Sequence, residues 1–106
     1  YYIEKNDPVK ALQVIDYAVL QHPFAAMFLI KQAQLYVFTN EIDKAFASLE
    51  RAELLEPSEG DIYLIRGNIY ESLEHHEDAL ENLLIALDMA ESKDEVLMQI
   101  AYVYQN

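Results

Sequence analysis

The sequence predicts an all-α solenoid of antiparallel helix hairpins, with about seven helices of which the first and last are truncated. Three observations predict it. Identical residues recur at a spacing of 34: Tyr2, Tyr36, Tyr70 and Tyr104 in one register, Ala11, Ala45 and Ala79 in a second, Ala18, Ala52 and Ala86 in a third. A single globular fold has no reason to repeat residues at one fixed period, whereas a stacked array of one supersecondary unit does. Gly and Pro are scarce, 2 and 3 in 106 residues, which argues for long helices over a turn-rich β fold. Between the breaks, apolar residues fall at helical spacing.

Residues 1–5 read as the last turn of a helix. Asp7 can cap the next helix, and Pro8 suits its first turn. Over residues 9–21 the stripe Val9, Leu12, Ile15, Ala18 and Val19 marks a helix, which His22-Pro23 stops because Pro drives its predecessor out of helical geometry. Residues 25–38 form a helix that is apolar on nearly every side. Thr39-Asn40 breaks it, and residues 41–55 return, ending before Pro57. Residues 58–61 open a third hairpin with helices over 61–73 and 76–90. Ser92 and Asp94 are both plausible caps for a last helix over 94–105.

Leu29, Ala33 and Tyr36, followed by Ala45, Leu49, Ala52 and Pro57, resemble a tetratricopeptide repeat. Tyr63, Gly67 and Tyr70, then Ala79, Leu83 and Ala86, repeat the pattern. Ala11, Ile15, Ala18 and Pro23 match the second half of an earlier repeat; Leu97, Ala101 and Tyr104 match the first half of a later one. The resemblance divides the chain into a half-repeat over 1–24, repeats over 25–58 and 59–92, and a further first helix over 93–106. It implies a right-handed superhelix with a concave groove lined by the first helix of each repeat. The sequence departs from the family in having no Trp and in placing Gln32 and Arg66 where the family usually has Leu. Glu91 stands in place of a helix-ending Pro, which leaves the helix through Ala90 free to run on for a turn. Small residues at Ala33, Gly67, Ala101, Ala45 and Ala79 allow close helix approach, with Tyr36, Tyr70, Leu49 and Leu83 filling the remaining volume.

A hydrophobic fraction of 53% is ample for a packed core. No stretch approaches the roughly 18 apolar residues of a membrane span. The chain opens on Tyr-Tyr-Ile-Glu-Lys with no initiator Met, which reads as a piece of a longer protein. The absence of Cys excludes disulfides and thiolate chemistry and leaves the compartment open, a reducing cytoplasm being compatible. A net charge of −12 repels phosphate backbones and anionic headgroups, so neither nucleic acid nor membrane is an expected partner. A basic or apolar polypeptide suits it better.

The expected function is a non-catalytic protein–protein interaction module that holds a partner's peptide or helix in the groove. The alternative is a structural or oligomerisation scaffold in a larger multi-repeat protein, with no free ligand. The candidate groove residues are Met27, Ile30, Gln34, Val37 and Phe38 in one repeat, an apolar and adaptable set. The next repeat offers Asp61, Leu64, Asn68, Glu71 and Ser72, and the last helix Glu95, Met98, Tyr102 and Gln105. The other reading is that a neighbouring repeat or terminal helix covers them. A partner with an apolar anchor and a basic flank is expected. Some family members clamp a ligand's C-terminal carboxylate with Lys, Arg and Asn. The equivalent positions here carry Met27, Ile30, Asp61, Leu64, Glu95 and Met98, and only Asn68 matches, so acidic chaperone tails are not the expected ligand.

Residues 71–95 hold nine acids and one base, Lys93, read as a solvated face. Adjacent His75 and His76 lack the i, i+4 spacing of a metal pair and read as turn residues. No phosphate loop or nucleophile elbow is present, and no cofactor is expected. Self-association through the truncated ends is expected to use Tyr1, Tyr2, Ile3, Val96, Ile100 and Val103.

Overall fold

The computed structural model describes residues 7–90 and 93–105. Among them are six α-helices and no strand: α1 (Pro8–Gln21), α2 (Ala26–Phe38), α3 (Ile42–Leu55), α4 (Gly60–Ser72), α5 (His76–Met89) and α6 (Asp94–Gln105). The helical turn expected at residues 1–5 and the Ser92 cap lie outside the described residues. The chain forms two compact units, Tyr1–Leu55 and Glu56–Asn106.

In the first unit, Asp7 starts α1: its Oδ1 accepts from the Lys10 N–H at 3.1 Å, and Pro8 occupies the first turn. The helix ends at His22, pushed to φ −134° before Pro23. Helix α2 packs on α1 and on α3. Leu29, Ala33, Ala45, Leu49 and Ala52 are buried, so the small residues bring α2 and α3 into close contact as expected.

Gln32, which looked like a departure from the repeat pattern, is a buried polar bridge. Its Nε2 donates to Asp16 Oδ1 of α1 at 2.8 Å, and its Oε1 accepts from Ser48 Oγ of α3 at 2.7 Å. One amide thus ties three helices with both of its polar ends satisfied, the condition for placing it in a core at little cost.

The turn between α2 and α3 has a defined chemistry. Asn40 sits in the left-handed region at φ 62°, the Asn40 N–H donates to Val37 O at 3.0 Å, and the Glu41 N–H donates to Tyr36 O at 2.7 Å. This is a Schellman stop, which satisfies the last carbonyls of α2 and reverses the chain. In the second unit Glu74 does the same at φ 63°: its N–H donates to Glu71 O and the His75 N–H to Tyr70 O.

That unit packs α4 on α5 and α5 on α6, and α4 also meets α6. At Gly67 the helices approach so closely that an added Cβ would lie 2.8 Å from Leu83 Cγ. Tyr63 donates its hydroxyl to Pro57 O at 3.2 Å, tying the entry loop to α4. Two expectations fail here. Helix α5 does not run past Ala90, whose ψ is 139°; the Ala90 N–H closes the last turn on Ala86 O, and Lys93 Nζ caps the free Leu87 carbonyl at 2.6 Å. The second failure concerns α6. Val96, Ile100 and Val103 are buried in the hairpin layers and offer no association surface. The exposed large apolar residues of this helix are instead Leu97, Met98, Tyr102 and Tyr104, and the small Ala101 is exposed beside them.

Candidate functional site

The first unit presents part of α2 to solvent. Met27 and Phe38 are 69% and 67% exposed, Gln34 is exposed and Val37 is half-buried. Ile30 departs from the expectation: it is 8% exposed and belongs to the packed interior. Its spacing placed it on the face of Met27 and Gln34, but that face is narrower at mid-helix than at its ends, because α2 is packed by both α1 and α3.

Charges gather at the end of this helix. Thr39 Oγ1 donates to Glu41 Oε2 at 2.8 Å, Lys44 Nζ donates to Glu41 Oε1 at 3.1 Å, and Lys44 also lies 5.8 Å from the centre of the Tyr36 ring. The Thr39 hydroxyl, followed by Lys44, holds the Glu41 carboxyl below its ordinary range. A depressed carboxyl contributes stability above its unfolded pKa and loses it as pH falls through the folded value. Burial, and then the Asp16 carboxylate, push the Tyr36 phenol up.

In the second unit seven of the nine sequence-derived positions line two clefts. Asn68, Glu71, Ser72 and Tyr102 line one of about 690 Å³, together with Glu74, His76 and Gln99. Asp61, Leu64 and Glu95 line another of about 480 Å³, with Ser58, Glu59, Gly60 and Met89 among its walls. Among the described residues neither lining contains Lys or Arg. Met98 lies in neither and is 73% exposed.

Several cleft residues were missed, His76 and Gln99 among them. His76, read as an incidental turn residue, orients Glu71: its Nδ1 lies 2.6 Å from Glu71 Oε1. The i, i+5 spacing of Glu71 and His76 across a helix stop gives no periodic signal. Gln99 was not among the candidates on the last helix, and the approach of α6 to α4 makes it a cleft wall. His75 Nδ1 lies 3.9 Å from Asp78 Oδ2, and no group of three or more His, Asp or Glu could hold a metal ion among the described residues.

The tetratricopeptide repeat profile matches residues 28–59 and 60–93, more than half of the chain. The chain belongs to the tetratricopeptide repeat family. Solved tetratricopeptide repeat structures are similar along nearly its whole length. The first such domain of Spaghetti, bound to the HSP90 peptide SRMEEVD, has a TM-score of 0.85 at 17% identity, covering 95% of this chain and 80% of that one. The Arabidopsis OM64 domain gives 0.83 at 17% identity, covering 93% and 82%. A thermophilic tetratricopeptide repeat protein of Thermus thermophilus gives 0.84 at 26% identity, covering 93% of this chain and 50% of that one. No curated protein sequence matches. Tetratricopeptide repeat domains are in general non-catalytic protein–protein interaction modules, and this chain has their fold.

Proposed function

We propose that this tetratricopeptide repeat chain binds an extended or helical segment of a partner protein without chemistry, using the clefts beside α4 and α6 of the second unit, with the exposed face of α2 in the first unit as a separate contact surface. The observation that carries the reading is the pair of clefts in the second unit. They are concave, include seven residues selected by helical spacing, and hold Glu59, Asp61, Glu71, Glu74 and Glu95 with no Lys or Arg among the described residues. Such a lining accepts Lys or Arg side chains and repels carboxylates. Met27 and Phe38 supply apolar contact for a partner's hydrophobic residues. An acidic ligand such as the HSP90 peptide of the Spaghetti neighbour does not suit these clefts.

A peptide array probed with the folded chain tests this. Basic segments carrying apolar residues are expected to bind, with Phe38→Glu losing the apolar-anchored subset and Glu71→Gln together with Glu74→Gln losing the basic one. Selection of acidic segments would overturn the reading.

A further inference from the structure

We propose, resting on the reading of the second unit's larger cleft as a site for basic side chains, that acidification releases such a ligand because His76 in the cleft wall gains a positive charge.

Of the residues lining this cleft, Glu71, Glu74 and His76 carry or acquire charge near neutral pH. His76 Nδ1 lies 2.6 Å from Glu71 Oε1. A carboxylate only accepts, so Nδ1 holds the proton of this bond in the neutral ring as well as in the charged one. The bond persists while the charge of the wall changes. Two carboxylates beside a neutral ring give −2, and beside an imidazolium −1. The Glu71 side chain is 11% exposed, so water screens its charge poorly and holds it beside the ring less than packing does. The His76 side chain is 42% exposed, open both to solvent protons and to a ligand.

The pair sits where two helices meet. Glu71 lies in the last turn of α4, where the helix dipole is negative, and His76 is the first residue of α5, where it is positive. Each helix end disfavours the charge it carries, so each charge is held by the other across the turn. The surrounding charges are acids: Glu74 in the turn, and Glu77 and Asp78 next along α5. Helix α6 contributes the neutral Gln99 and Tyr102 to the cleft. An imidazolium at His76 is therefore a positive charge in a lining that has no Lys or Arg among the described residues. The other two imidazoles are held elsewhere. His75 stacks on Tyr70 with ring centres 6.1 Å apart and lies 3.9 Å from Asp78, and His22 lies beside Phe28 in the first unit.

A bound Lys or Arg side chain and the imidazolium compete for the same carboxylates and repel each other, which at this exposure weakens binding about fivefold at low salt. Protonation and binding are linked, so the ligand lowers the midpoint of the His76 ring titration by the logarithm of that factor, about 0.7 in pH.

The probe is a fluorescent octapeptide of alternating Arg and Leu, followed by anisotropy with the full chain in about 20 mM salt. Its dissociation constant is expected to be about fivefold larger at about pH 5.5 than at about pH 8, a range above ordinary carboxylate titration. His75→Asn keeps this dependence. His76→Asn, whose amide donates as Nδ1 does but does not titrate, removes it. Proton NMR of the wild-type ring reads the linked change in midpoint without any substitution. Three results overturn the proposal and leave the cleft reading intact: a dissociation constant that does not rise as pH falls, a dependence that survives His76→Asn, or a midpoint that the peptide leaves in place. A peptide that binds at neither pH overturns the cleft reading itself, and this proposal with it.

Discussion

Gln32 illustrates how a residue that breaks a sequence pattern can still be well placed. Its amide bonds Asp16 and Ser48 at 2.8 and 2.7 Å, and no buried side-chain polar atom is left without a partner among the described residues. The energetic weight falls on the buried side of this bridge. Asp16 is exposed and finds water if the amide is lost, but Ser48 is 4% exposed and does not. Gln32→Leu is therefore expected to destabilise by about 1–2 kcal/mol, even though it restores the residue the family favours. Adding Ser48→Ala removes the stranded hydroxyl and is expected to recover most of that loss in urea denaturation. If the double variant is no more stable than the single one, the bridge does not have this role.

At the scale of the element, the two Schellman turns determine how each hairpin closes. Asn40 and Glu74 adopt φ 62° and 63°, a conformation that costs an ordinary L-residue about 1–2 kcal/mol. Asn tolerates it because its short side chain bonds locally; Glu has no such relief. Glu74→Gly is expected to stabilise the fold by about 0.5–1 kcal/mol, and Asn40→Gly by less. Thermal melts of the two variants rank them, and a larger gain at Asn40 would show that the turn strain is distributed otherwise. The helix starts and stops themselves were legible because they are local: Asp7-Pro8, His22-Pro23 and Thr39-Asn40 act through a few neighbouring bonds. The end of α5 was not, since it depends on Lys93 reaching back to Leu87.

Across the whole molecule the dominant fact is a net charge of −12, with nine acids and one base between positions 71 and 95. Acids on solvent-facing helix surfaces repel one another and oppose compaction. Raising NaCl from about 10 mM to about 0.5 M shortens the screening length from roughly 30 Å to a few ångströms and is expected to raise the melting temperature by several degrees. A melting temperature that falls with salt would mean that attractive pairs such as Lys44–Glu41 outweigh this repulsion.

The sequence by itself determined the all-α hairpin fold, the family, the helix order and the positions where helices approach most closely. All of these follow from a 34-residue period, from turn chemistry and from small residues at fixed places, which are local or repeated signals. It also selected seven residues that line the clefts of the second unit, because helical spacing defines which residues share a face. Only the tertiary structure decided which faces are covered. Ile30 is buried although Met27 and Phe38 are not, Val96, Ile100 and Val103 are packed, and Leu97 and Tyr104 are left open. Periodicity assigns a side chain to a direction, but exposure depends on whether another helix lies in that direction, and that is a property of distant parts of the chain.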